Sequence, residues 1–178
     1  HADEYREYSL FAIASYSKPA VLLRALGGVI GEETLRRALE TYTERWLLRH
    51  PYPLDFFNTV EEVAGRDLDW FWRPWWYETA HLDQAIVDVA IEATADGGEQ
   101  AVVTIENQGE ALMPVELVVT TAEGATRKVV IPVDVWLSGG RRTRATVTVP
   151  GRVAVVWIDP DLTFPDADRS DNEWRRGQ

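Results

Sequence analysis

The sequence has 178 residues, of which 46% are hydrophobic and eight are tryptophan, so it can bury a substantial core and disorder is excluded. A formal net charge of -11 argues against nucleic acids and anionic membrane surfaces as partners, because binding to either requires a basic face. With no cysteine, disulfides and thiolate metal sites are excluded, and no apolar run approaches the roughly 20 residues of a membrane span.

The first half of the chain has apolar residues at helical spacing, which predicts a helical segment over residues 1–82. A first helix is expected over residues 5–14. Pro19 fits the first turn of a second helix, where its missing N–H costs nothing. The third helix is the clearest, because one face carries an apolar residue at every third or fourth position: Leu35, Ala38, Leu39, Tyr42 and Trp46.

Proline, glycine and aspartate delimit the last two predicted helices. Pro53 opens a helix that is expected to stop at Gly65. Asp67 is a natural N-cap for the stretch 68–77. Because Pro74 lies inside that stretch, we expect a kink or two short helices there.

From Asp83 onwards the apolar period becomes two, which predicts β-strands. Turn residues separate six alternating runs, which begin at Val87, Ala101, Val115, Val133, Ala145 and Val153. A further strand around 128–131 gives the seven strands of an immunoglobulin- or fibronectin-like sandwich over residues 83–166. The tail, 167–178, is expected to be irregular. The predicted fold class is therefore α+β in two parts, a helical bundle segment followed by a β-sandwich.

A series of motifs in fixed order carries a family resemblance. The series comprises Tyr16-Ser17-Lys18-Pro19, Gly31-Glu32-Glu33, Arg45-Trp46, His50-Pro51, Gly65-Arg66-Asp67-Leu68 and Trp157-Ile158-Asp159-Pro160-Asp161. It resembles the segment after the zinc-binding helices in zinc aminopeptidases of the aminopeptidase N and leukotriene hydrolase type, which are gluzincin metallopeptidases. The β half is similar to the small sandwich that follows in many bacterial members, so the resemblance covers nearly the whole chain.

The resemblance implies a hydrolase that removes N-terminal residues from peptide substrates with a zinc-activated water. It makes Tyr16 the candidate catalytic residue, whose phenol would donate a hydrogen bond to the oxyanion, and the helical half one wall of the cleft. Just before a helix, Tyr16 would also lie in the positive potential of unpaired N–H groups. Lys18 is a weaker candidate, and on pattern alone both residues are more commonly structural.

The zinc ligands of that family have no counterpart in this sequence. His-Glu-x-x-His is absent, and the three histidines, His1, His50 and His81, are scattered. We therefore expect no cofactor in this chain, no activity from it alone, and a partner in the missing N-terminal zinc domain. Without that zinc domain, apolar helix residues would be uncovered. We expect self-association through these residues, Leu10, Phe11, Ile13 and the helix 21–26. Localisation stays open between the cytoplasm and the bacterial cell envelope or periplasm.

Two further patterns have competing interpretations. The aromatic tract, Trp70 to Tyr77, fits either a stacking platform for sugars or, as we prefer, a buried wedge between the two halves. The platform would suit the alternative function, a non-enzymatic protein- or carbohydrate-interaction module. Asp159-x-Asp161 and Asp166-x-Asp168 resemble fragments of calcium sites but lack the spacing of an EF-hand loop, and we interpret them as turn formers.

Overall fold

The computed structural model describes residues 7–177. The chain divides into two compact units, residues 1–72 and 73–178. The first unit is helical, and the second contains the seven strands found in the described part of the chain. This arrangement confirms the α+β class, with helices first and antiparallel sheets second. The boundary was predicted at 82/83, just before the first strand, whereas the units divide inside the aromatic tract.

The helical unit contains α1 (Tyr8–Ala12), a π-helical segment (Ile13–Ser17), α2 (Lys18–Ile30), α3 (Glu32–Trp46), α4 (Pro53–Ala64) and α5 (Asp69–Trp72). Residues 5 and 6 of the first predicted helix lie outside the described residues. Gly31, with φ at 88°, separates α2 from α3, and Gly65, with φ at 67°, ends α4 as predicted. None of the helices in residues 7–177 is long and apolar enough to cross a membrane.

The core of the helical unit forms where α2, α3 and α4 meet. Its buried apolar side chains recur at helical spacing and include Leu22, Ala25, Leu26, Leu35, Ala38, Phe57, Val60, Leu68 and Phe71. Trp72 closes this core by stacking on Phe57, with ring centroids 4.5 Å apart and planes inclined by 17°. The core therefore joins three helices and the short α5 through an aromatic cluster.

The second unit begins with a π-helical turn (Arg73–Tyr77) and continues with β1 (Gln84–Ala93), β2 (Glu99–Asn107), β3 (Val115–Thr121), β4 (Thr126–Ile131), β5 (Arg142–Val149), β6 (Val153–Ile158) and β7 (Glu173–Arg175). The strands form two antiparallel sheets, with orders β1-β2-β5 and β4-β3-β6-β7. In β3, every second residue from Val115 to Thr121 is buried, and contacts between the sheets show that this inward face forms the sandwich core.

Two of the strand predictions need correction, although the total of seven agrees. The run Val133 to Leu137 is not a strand but a helical turn, α6 (Asp134–Leu137), which buries Trp136 so that its indole N–H donates to the Met113 carbonyl at 2.9 Å. The seventh strand is instead β7, inside the tail that was predicted to be irregular. Three residues are too few for an alternating pattern, and β7 is recognisable only by its pairing with β6.

Candidate functional site around Tyr16

Tyr16 lies inside a continuous helical run, in the π-helical segment Ile13–Ser17. The Lys18 N–H donates to the Ile13 carbonyl, five residues back, and Ser17 has helical angles, φ -67° and ψ -49°. The prediction that Tyr16 precedes a helix N-terminus is therefore wrong. Because the backbone stays helical from Tyr8 to Ile30, the first-turn N–H groups of a new helix are not available to create a positive potential there.

The widened turn at Tyr16 has a physical cause in the sequence. Proline has no N–H and its ring clashes with the carbonyl four residues earlier, so Pro19 disfavours an ordinary α-helical turn before it. A π-helical segment accommodates that clash without ending the helix. The second π-helical segment, Arg73–Tyr77, likewise contains a proline, Pro74. Such insertions recur at functional sites, and this one contains Tyr16.

The Tyr16 side chain is largely exposed and has one aromatic contact. It is 67% exposed, and its ring meets Phe11 edge to face, with centroids 6.3 Å apart. Within residues 7–177 its hydroxyl has no hydrogen-bond partner. The phenol is therefore positioned by an aromatic contact and available as a donor.

The predicted uncovered apolar face is present in its N-terminal part. Leu10, Ile13 and Val21 are exposed at 48%, 56% and 45%, and Tyr8 reaches 81%. Leu22, Ala25 and Leu26, which were expected to be uncovered, are buried by the chain itself. The open surface is thus confined to α1, the π-helical segment and the start of α2.

The aromatic tract is largely packed. Trp72 and Trp75 are 3% and 6% exposed, Trp70 and Trp76 are half-buried, and Tyr77 is exposed. The Trp72 indole N–H donates to the Glu61 carboxylate at 3.0 Å. The tract does not present a flat row of exposed rings, so the observation that would favour a sugar platform is missing.

The best candidate for a metal in the helical unit is an acidic trio. Glu61, Asp67 and Asp69 are the one group in residues 7–177 with three acidic or histidine ligand atoms within 4.8 Å of one another. Glu61 Oε1 already accepts hydrogen bonds from the Leu68 N–H and the Trp72 indole, and Asp67 accepts from the Asp69 N–H at 2.8 Å. These bonds explain the trio as a structural cap of α5.

The potential metal ligands within residues 7–177 do not fit a catalytic zinc. Zinc sites of hydrolases use histidine nitrogens, and the acidic trio offers carboxylate oxygens alone. His50 lies exposed in the loop before α4, His81 pairs through Nδ1 with Glu110 at 2.8 Å, and His1 lies outside the described residues. No step of a reaction is therefore assigned to a metal held by this chain.

Comparisons with known proteins agree on one family. A model of the peptidase family M1 domain matches residues 2–75, the segment that contains Tyr16. Aminopeptidase N of Streptomyces lividans is 32% identical over 83 residues, which are 47% of this chain and 9% of that protein. Leucyl aminopeptidase of Saccharolobus solfataricus is 31% identical over 70 residues, or 36% of this chain and 9% of that protein.

The fold has a counterpart among solved structures. A crystal structure of Legionella pneumophila aminopeptidase A in complex with aspartic acid matches with a TM-score of 0.65 at 17% identity, over 89% of this chain and 18% of that one. The family model and the relatives therefore support the M1 aminopeptidase family for part of this chain, residues 2–75. Its matched segment spans 9% of the curated relatives.

Proposed function

We propose that this chain is the C-terminal part of a zinc-dependent, aminopeptidase-like metallopeptidase of the gluzincin type. In the complete protein, its helical unit forms one wall of the cleft and Tyr16 stabilises the transition state of peptide hydrolysis. The observation that carries the proposal is the match of the M1 family model to the segment holding Tyr16. The relatives named above are aminopeptidases, which supports a peptide substrate for the parent.

The role proposed for Tyr16 is to donate one directed hydrogen bond. When a peptide carbonyl is attacked, its oxygen gains negative charge and needs a hydrogen-bond donor at the place where that charge develops. The ring of Tyr16 contacts Phe11 edge to face, and the side chain is largely exposed. Since it does not lie at a helix N-terminus, its contribution rests on the phenol itself.

The zinc of the parent would be held by residues outside this chain, because the described donors do not suit it. The chain's partner is then the N-terminal zinc domain of the same protein. The exposed side chains of Tyr8, Leu10 and Ile13 support this, since a contiguous apolar surface favours an interface. Without that domain, the same face would favour self-association.

The finer architecture of the sandwich is also part of the proposal. Strand β5 lies beside β2 and strand β6 beside β3, so the chain crosses three times between the three-stranded and the four-stranded sheet, after β2, after β4 and after β5. This order supports an immunoglobulin- or fibronectin-like sandwich, which serves the parent as a structural module.

Activity of the full-length gene product tests the proposal. It should hydrolyse an aminoacyl p-nitroanilide, lose that activity on treatment with a zinc chelator and regain it with added zinc. This chain alone should show neither hydrolysis nor stoichiometric zinc after dialysis. A full-length protein that lacks zinc and aminopeptidase activity, or a chain of residues 1–178 that holds one zinc, would refute it.

A further inference from the structure

Two aromatic rings five residues apart, Phe11 and Tyr16, meet edge to face, with centroids 6.3 Å apart. In a regular α-helix the side chains that meet are three or four residues apart, and residues separated by five lie roughly 140° apart around the axis. Tyr16 lies in the π-helical segment Ile13–Ser17, whose hydrogen bond from the Lys18 N–H to the Ile13 carbonyl spans five residues. The ring contact therefore depends on the widened turn.

The widened turn also changes the direction in which the Tyr16 side chain leaves the helix. Each residue of an α-helix turns the chain by roughly 100°, and a π-helical turn accommodates one residue more than an α-helical turn. Side chains in and before such a turn are therefore rotated by up to roughly 100° relative to a regular helix that continues backwards from α2. For a side chain as long as tyrosine, a rotation of this size displaces the hydroxyl by many ångströms.

Pro19 is the local cause of this turn. It cannot donate a hydrogen bond to the carbonyl of Ser15, four residues earlier, and its ring clashes with that carbonyl. Between Tyr8 and Ser17, all of them described, no residue is buried. The core of the helical unit therefore does not hold this stretch in its π-helical form, whereas the proline ring excludes the α-helical alternative at every moment.

We propose that Pro19 is a positioning residue for the reaction proposed above, because it imposes the widened turn that directs the Tyr16 hydroxyl towards the developing oxyanion. A donor helps only where the charge develops, and a misplacement of about 1 Å can cost about 100-fold in rate. Pro19 has no donor or acid–base group of its own, so its effect passes through Tyr16. This inference rests on the proposed function and adds the residue that sets the direction of its donor.

NMR on the 178-residue chain tests the geometry without reference to activity. A nuclear Overhauser effect should connect the ring protons of Phe11 and Tyr16 in the wild type. Pro19→Ala restores an N–H that can bond to the Ser15 carbonyl, so the turn should become α-helical and this signal should vanish. Pro53→Ala, at the exposed first position of α4, should keep the signal, since a proline there displaces no helical hydrogen bond.

The melting temperature shows that a lost signal is not a loss of folding. Pro19→Ala should melt no lower than the wild type, because proline disfavours a helix interior and alanine favours it. A signal that persists in Pro19→Ala, or a Pro19→Ala chain that melts below the wild type, would overturn the proposal.

Kinetics of the full-length protein test the consequence for catalysis. Pro19→Ala should lower kcat by about tenfold to 100-fold with little change in KM, and Pro53→Ala should keep both constants. In the Tyr16→Phe background, Pro19→Ala should change kcat by less than about twofold, because no hydroxyl is left to direct. A general structural role would lower kcat equally in both backgrounds.

The outcomes separate this inference from the proposed function. If Tyr16→Phe lowers kcat and Pro19→Ala does not, Pro19 is not a positioning residue and the proposed function stands. The same conclusion follows if Pro19→Ala lowers kcat equally with and without the Tyr16 hydroxyl. If Tyr16→Phe leaves kcat unchanged, the role of Tyr16 itself fails, and this inference fails with it.

Discussion

The two units cover their apolar residues in different ways. The sandwich unit buries alternate side chains of β2 and β3 between its own two sheets. The helical unit leaves Tyr8, Leu10, Ile13 and Tyr16 exposed along one helical run. A surface of that kind marks an interface. The sandwich unit thus buries its apolar side chains in its own core, whereas the helical unit also exposes an apolar surface. The candidate catalytic residue, Tyr16, lies on the unit with the exposed surface.

The largest loss of stability is expected when a buried side chain of the helical unit is replaced by alanine. Replacing Trp72 by alanine removes a ring stacked on Phe57 and a hydrogen bond to Glu61, and should cost about 3–5 kcal/mol of unfolding free energy. Urea unfolding measures this loss. The control Tyr77→Ala, at a residue 62% exposed, should change it by less than about 0.5 kcal/mol. Equal effects of the two changes would contradict the packing described here.

In the sandwich unit, the stability should depend on pH through the ionisation of Asp171. The pKa of Asp171 rises to about 6 in the folded protein from an ordinary value of 3.8, so the folded state binds the extra proton between these values. Its contribution to stability is therefore present below about pH 4 and is lost as the pH rises through about 6. In metal-free buffer, Asp171→Asn should stabilise the protein relative to the wild type increasingly across that range, as measured by thermal unfolding.

Asp96, in the same unit, provides a control for which the pH effect on stability should have the opposite sign. The Thr94 hydroxyl donates to Asp96 and holds its pKa below the usual range. Asp96→Asn should therefore lose stability relative to the wild type as the pH rises above about 4. The same sign for Asp171→Asn and Asp96→Asn would contradict the raised pKa of Asp171.

The open face of the helical unit should contribute the least to stability. Ile13 is 56% exposed, so Ile13→Asp should change the unfolding free energy by no more than about 0.5 kcal/mol. It should nevertheless reduce self-association of the isolated chain, which analytical ultracentrifugation measures. A large loss of stability would show that the chain itself covers this face.

Apolar periodicity predicted the regular helices and strands. It failed where turn residues, the burial of one side chain or an unusual backbone hydrogen bond determines the local conformation. Helix α3 and strands β2 and β3 follow their apolar spacing because one face of each is buried. The run Val133 to Leu137 alternates like a strand, but Pro132 and Gly139 delimit a helical turn that buries Trp136. No spacing rule reveals the π-helical segment at Tyr16, since it depends on a hydrogen bond five residues back.

The candidate site, too, was only partly predictable from the sequence. Tyr16 was found through its resemblance to a family, whereas its placement before a helix start was wrong because Pro19 continues the helix. The effect of the Asp83 charge on the pKa of Asp171 could be found only from the fold, since the two residues lie at opposite ends of the sandwich sequence. The Asp166-x-Asp168 pair was noticed and interpreted as a turn, which its hydrogen bonds to the Asp168 and Ser170 N–H groups support.

The measurement that tests the central claim most directly is the kinetic effect of Tyr16→Phe in the full-length protein. We predict that kcat falls about 100- to 1,000-fold with little change in KM, because the hydroxyl acts on the transition state. The matched control Tyr8→Phe, at an exposed tyrosine of the same helical run, should keep both constants. An unchanged kcat in Tyr16→Phe, or an equal loss in Tyr8→Phe, would contradict the role of Tyr16.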